Sequence, residues 1–98
     1  MNGKELYGLF QKYFPNEAAL SWDNVGLLCG RMDKDIQKVY VALDATMDVI
    51  DEAVRVGADL LLTHHPIIFS SIKRIEENDY IGERLLRMAE NHITCYAM

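Results

Sequence analysis

Residues 38–63 read KVYVALDATMDVIDEAVRVGADLLLT, and the order of signals in this stretch decides the fold. Lys38 to Leu43 reads as a strand, rich in β-branched residues and nearly continuous in its apolar character. That pattern suits a strand buried on both faces of a parallel sheet. Thr46 can cap a helix, and Asp48, Asp51 and Glu52 fall in the first turns, where the helix dipole favours negative charge. Ile50, Ala53 and Val54 mark its inward face, and Gly57 supplies a left-handed stop. Ala58 to Thr63 is a second apolar strand. The spacing predicts one β-α-β unit of the right-handed crossover type.

The pattern repeats towards the C-terminus. Ile67 to Ile75 is apolar without a clean period and is expected to be a loop or short extended piece. Asn78 or Asp79 can cap a helix with Ile81, Leu85, Met88, Ala89 and His92 on one face, and Ile93 to Met98 reads as a strand. Towards the N-terminus, Leu6, Leu9, Phe10 and Tyr13 make one apolar face of a helix over residues 4–13. Pro15 ends that helix, Glu17 to Leu20 has room for a single turn, and Val25 to Cys29 reads as a short strand. The expected class is therefore α/β, with a largely parallel sheet of consecutive β-α-β units and an N-terminal helix. The last strand pattern runs to the end of the chain. This predicts that residues 1–98 are the N-terminal portion of a larger α/β domain, with no second domain among them. It also predicts self-association through the uncovered edge of that last strand, since an open edge is a template for pairing.

The formal net charge of −5 argues against nucleic acid and against an anionic membrane as partner, because both need a basic face. No apolar run approaches the roughly 18 residues that span a bilayer. The polar Met1 to Glu5 leads directly into the helix pattern and does not resemble a signal peptide. Cys29 and Cys95 are far apart, form no C-x-x-C, and are expected to be reduced, buried thiols of a cytoplasmic protein.

In parallel α/β sheets, ligands gather beyond the carboxyl ends of the strands. Here those ends carry Asp44 and the pair His64-His65, followed by Pro66. Carboxylate and imidazole together suit zinc, iron, manganese or nickel. Adjacent residues of a regular strand point to opposite faces, so the two histidines fit one ion each of a close pair better than a shared ion. The plainer alternatives are a core hydrogen bond for His64, a solvent-facing His65, and a turn or cap role for Asp44. Trp22, Asp23 and Asn24 form either a simple turn or a loop lip over the site. His92 is most simply a partner of a helix C-terminus. No phosphate-binding glycine loop, serine nucleophile elbow or H-E-x-x-H motif is present, and no residue is singled out as catalytic.

Three motifs in order carry a resemblance: Trp22-Asp23-Asn24-Val25-Gly26-Leu27, Val41-Ala42-Leu43-Asp44-Ala45-Thr46, and Gly57 through Pro66 with its Thr63-His64-His65-Pro66 ending. Together they resemble the NGG-interacting-factor-like proteins, also called GTP cyclohydrolase I type 2 homologues. The resemblance implies an α/β subunit of a toroidal homo-hexamer, with two divalent metal ions at the base of a cleft. It implies that His64 and His65 are metal ligands and that the family's other ligands match positions beyond Met98. On this reading Asp44 orients a ligand from behind, and Trp22, Asp23 and Asn24 line the entrance. The implied activity is metal-dependent hydrolysis of a small molecule or nucleotide such as GTP. The alternative is a metal-binding regulatory or partner-interaction protein without catalysis.

Overall fold

The computed structural model describes residues 1–15, 24–68 and 70–98. Three helices and four strands follow in the order α1 (Gly3–Tyr13), β1 (Gly26–Cys29), β2 (Val39–Ala42), α2 (Met47–Val56), β3 (Leu60–Thr63), α3 (Tyr80–Glu90) and β4 (Thr94–Ala97). The strands form one mixed sheet in the order β1-β4-β3-β2. β2, β3 and β4 are parallel, and β1 runs antiparallel to β4. The expected turn over Glu17 to Leu20 lies outside the described residues.

Local chemistry sets the helix boundaries. The Thr46 hydroxyl accepts a hydrogen bond from the Val49 amide, and Gly57 closes α2 in the left-handed region at φ 73°. The Asp79 carboxylate accepts from the Gly82 amide at the start of α3. The Asn2 side chain accepts from the Lys4 amide before α1. His92 follows α3 at φ 57°, in the backbone region usually left to glycine.

Alternation along the strands sends side chains to two cores. Leu61 and Cys95 join Ile50, Ala53, Leu85 and Met88 beneath α2 and α3. Leu60 and Tyr96 join Met32 and Ile36 on the opposite face, beneath α1. The Tyr96 ring meets Phe10 at 4.7 Å and Tyr7 at 6.0 Å between centroids, and its hydroxyl accepts from Gln11 Nε2 at 2.8 Å. The phenol is therefore buried with its polar end satisfied.

Several expectations need correction. β2 is an edge strand, and only one of its faces is covered: Val39, Val41 and Leu43 are 41%, 71% and 61% exposed. An apolar run records what a strand can tolerate, and here α1 reaches over β3 and β4 without reaching β2. The inward face of α1 is Leu6, Tyr7 and Phe10, whereas Leu9 and Tyr13 are exposed. On α3 the buried face is Gly82, Leu85 and Met88, and neither Ala89 nor His92 belongs to it. The last strand has no free edge, because β1 pairs with it on one side and β3 on the other. The sheet's outer strands are β1 and β2. Among the described residues no helix is long and apolar enough to cross a membrane.

Candidate functional site

The carboxyl ends of the parallel strands are tied together at the Thr63-His64-His65-Pro66 corner. The His65 amide donates to the Leu43 carbonyl at 3.0 Å, which joins the segments leaving β2 and β3. The Thr63 hydroxyl donates to the His65 carbonyl at 2.8 Å, and the Met98 amide donates to the Thr63 carbonyl at 3.0 Å. The backbone that carries the histidines is thus fixed while their side chains stay exposed. The two rings lie 5.0 Å apart between centroids with planes at 47°. Leaving the strand lets them diverge by less than strict alternation would impose.

Asp44 is brought to the same corner. Its Oδ1 lies 2.7 Å from His65 Nδ1, with both side chains about half exposed. A carboxylate only accepts, so Nδ1 carries the proton and Nε2 of the neutral ring keeps its lone pair for a ligand. The helix cap is Thr46, which leaves Asp44 free for this contact. Asn24 also reaches the region: its Nδ2 donates to the Ile68 carbonyl at 2.6 Å, holding the loop that follows Pro66. Trp22 and Asp23 lie outside the described residues. His92 precedes β4 at the opposite end of the sheet, and its carbonyl accepts from Lys34 Nζ at 2.6 Å.

A cleft of about 320 Å³ adjoins the corner and shares Asp44 and Pro66 with it. Ser70 and Ser71 line one part, and Tyr80 and Arg84 of α3 line another. The Arg84 guanidinium sits 5.2 Å over the Tyr80 ring, and its Nη1 donates to the Ala45 carbonyl at 3.4 Å. These residues were not foreseen from the sequence. The available signal was the Tyr80–Arg84 spacing of four, which stacks a cation on an aromatic within one helix turn.

Cys29 and Cys95 are free and stand opposite each other between β1 and β4. Burial raises the Cys29 pKa. Burial, with Cys29 adding a smaller contribution, pushes the Cys95 thiol up to about 12. Both therefore stay protonated and poorly nucleophilic at neutral pH.

The donors at the corner match a borderline divalent cation in kind: two exposed imidazoles, one with a carboxylate behind it. Among the described residues, no group of three or more His, Cys, Asp or Glu side chains converges to hold an ion. The described residues therefore do not by themselves make a complete zinc shell, since zinc takes at least three protein ligands even at an open site.

The model of the Duf34/NIF3 (NGG1p interacting factor 3) family matches residues 1–98. The chain belongs to this family. It is 40% identical over 96 residues to a GTP cyclohydrolase 1 type 2 homolog of Halalkalibacterium halodurans, covering 98% of this chain and 26% of that protein. A Bacillus cereus protein related to NIF3 superposes with a TM-score of 0.90 at 36% identity, over 99% of this chain and 27% of the other. Reduced HcgD from Methanocaldococcus jannaschii superposes with a TM-score of 0.88 at 33% identity, over 100% of this chain and 39% of the other. Membership agrees with the resemblance drawn from the three motifs, and the chain spans roughly a quarter to two-fifths of the length of these relatives.

Proposed function

We propose that this chain supplies the first ligands of a dinuclear divalent-metal centre in a hydrolase-like protein. The observation that carries the reading is the pair His64-His65 at the carboxyl end of β3, rings 5.0 Å apart, with Asp44 held 2.7 Å from His65 Nδ1. His64 and His65 are the ligands, one for each ion, and zinc, iron, manganese or nickel fits the donor set. With both ions bound, such a centre supplies a metal-activated hydroxide at neutral pH. Asp44 fixes the ring orientation of His65 and holds the proton on Nδ1. Asn24 anchors the loop beside the corner, and Trp22 and Asp23 belong to the entrance. The names of the GTP cyclohydrolase 1 type 2 homologs it resembles favour a nucleotide such as GTP as substrate, and a homo-oligomer, a toroidal hexamer by resemblance, is the proposed assembly.

The test is metal analysis after mild purification, alongside the double variant His64→Ala/His65→Ala. The variant is expected to lose bound metal while keeping its circular dichroism spectrum. Where the parent chain retains metal, equal content in the variant removes these residues from the centre.

One observation favours a second reading, a metal-binding protein whose role is regulatory or partner contact. Val39, Val41 and Leu43 present an exposed apolar row beside the corner, where a partner surface could be buried. GTP hydrolysis measured with and without added divalent ions separates the two: turnover that depends on the metal supports the enzyme, and metal binding without turnover supports the partner role.

A further inference from the structure

We propose that the cleft beside the histidine corner is an anion subsite, in which Arg84 takes the phosphate or carboxylate group of the substrate. The inference rests on the proposed function only in placing the reacting centre at His64 and His65.

Three observations carry it. First, Arg31, Arg55 and Arg87 each pair with a carboxylate, at Asp33, Glu52 and Asp51. Arg74 and Arg84 have no carboxylate partner among the described residues, and of the described arginines Arg84 is the one that lines the cleft. A guanidinium has five N–H donors, and here one is spent on a long contact to the Ala45 carbonyl. Second, the Arg84 guanidinium lies over the Tyr80 ring at 5.2 Å. Stacking limits the rotamers of a long side chain, so less freedom is lost when an anion arrives. Third, the walls suit a small anionic molecule. Ser70 and Ser71 offer hydroxyl donors, and Ile72 and Ile81 offer apolar surface for its body. A volume of about 320 Å³ lies at the small end of ligand pockets.

Asp44 also lines this cleft and carries the opposite charge. Its Oδ1 accepts from His65 Nδ1 at 2.7 Å, which turns that oxygen towards the corner. Asp44 and Pro66 form the wall that the cleft shares with the histidine corner. The chemistry expected is therefore a compact substrate whose charged group is gripped by Arg84 while its reacting bond reaches the corner. Phosphate and carboxylate both match the planar fork of a guanidinium.

The experiment is a ¹H–¹⁵N titration of the 98-residue chain with inorganic phosphate and, separately, acetate, in a chelating buffer free of divalent metal. Saturable shifts are expected at the amides of Ala45, Ser71 and Ile81. Arg84→Gln is expected to weaken binding at least tenfold, and Arg84→Lys, which keeps a point charge, to recover part of it. Tighter binding of phosphate assigns a phosphorylated substrate, and tighter binding of acetate a carboxylate one. No saturable shift in the parent chain overturns the proposal, as does an Arg84→Gln chain that binds as the parent does. Ser71→Ala provides the second test should Arg84→Gln fail to fold: a severalfold loss is expected, and an unchanged affinity counts against the subsite. Because the titration contains no metal, its failure is separate from failure of His64 and His65 to bind an ion.

Discussion

Asp44 Oδ1 and His65 Nδ1 stand 2.7 Å apart although 21 positions separate them in the chain. The strand-to-helix turn after β2 and the strand end of β3 meet there, and the His65 amide bonded to the Leu43 carbonyl keeps the two segments in register. A carboxylate behind an imidazole fixes its tautomer and raises its basicity, and loss of such a partner typically lowers metal affinity by about 10- to 100-fold. Asp44→Ala is expected to do so here, read by isothermal titration with zinc or manganese. Asp44→Asn, which keeps an acceptor oxygen, should fall between. A metal-free readout exists as well: ¹⁵N imidazole shifts should show the Nδ1-protonated tautomer of His65 in the parent and a mixture in Asp44→Ala. An unchanged tautomer ratio would show that the contact does not orient the ring.

Cys95 is expected to set the alkaline limit of stability. Its thiol is pushed from an ordinary 9.0 to about 12, first by burial and then by Cys29. Between those values the unfolded chain has released this proton and the folded chain has kept it. The unfolded state then binds fewer protons, so folding stability falls as pH rises. The contribution is fully present below about pH 9 and is lost progressively towards about 12, with a slope of up to roughly 1.4 kcal/mol per pH unit. Urea unfolding from pH 7.5 to 10.5 should show the decline. Cys95→Ala should start from a lower stability and decline less steeply. Equal slopes in the two chains would mean that other groups set the limit.

Gly30 and Gly57 both occupy the left-handed region, at φ 97° and φ 73°, but only one is crowded. A Cβ on Gly30 would meet Thr94 Cα at 2.9 Å, where the end of β1 presses against the start of β4. A Cβ on Gly57 would meet nothing within 4 Å. Gly57→Ala should therefore cost about 1–2 kcal/mol, the left-handed penalty alone. Gly30→Ala adds backbone crowding and should cost clearly more, about 2–4 kcal/mol. Urea midpoints of the two variants check the order, and equal losses would show that the chain near Thr94 relaxes freely.

What the residues disclosed was mostly local. Thr46, Gly57 and Asp79 mark helix ends through contacts within a few positions, so the β-α-β succession could be read directly. The rule that ligands gather at the carboxyl ends of parallel strands is enough to place Asp44 and His64-His65 at one corner. What stayed hidden depends on which element covers which. The apolar run of Val39 to Leu43 is compatible with a central strand, and only the placement of α1 and the sheet order make it an edge. Leu9 and Tyr13 share helical spacing with Leu6 and Phe10, yet the ring of Tyr96 takes Tyr7 beside Phe10 and leaves Leu9 and Tyr13 exposed. β1 covers β4 by returning antiparallel from a segment far away in sequence, which no pattern in β4 announces. Arg84 reads as one more charge on a solvated helix face until α3 is laid beside the loop that follows Pro66.

The edge position of β2 yields the sharpest contrast in stability. Val41 and Leu61 are both aliphatic, both central in four-residue strands, and on adjacent paired strands. Val41 is 71% exposed and Leu61 fully buried. Burial of an aliphatic side chain is worth about 1.5–3 kcal/mol, and truncating one in a packed core adds the cost of a cavity. Leu61→Ala should therefore destabilise the 98-residue chain by about 2–5 kcal/mol. Val41→Lys should stay within about 0.5 kcal/mol, because the new charge remains in water and a lysine on an edge strand also opposes edge-to-edge pairing. Urea unfolding of both variants decides it. A loss above about 2 kcal/mol for Val41→Lys would mean that this face is covered in solution, by a second copy of the chain or by residues lying outside those described. Light scattering on the same samples distinguishes these, since only a covering copy would leave a smaller particle when the lysine is introduced.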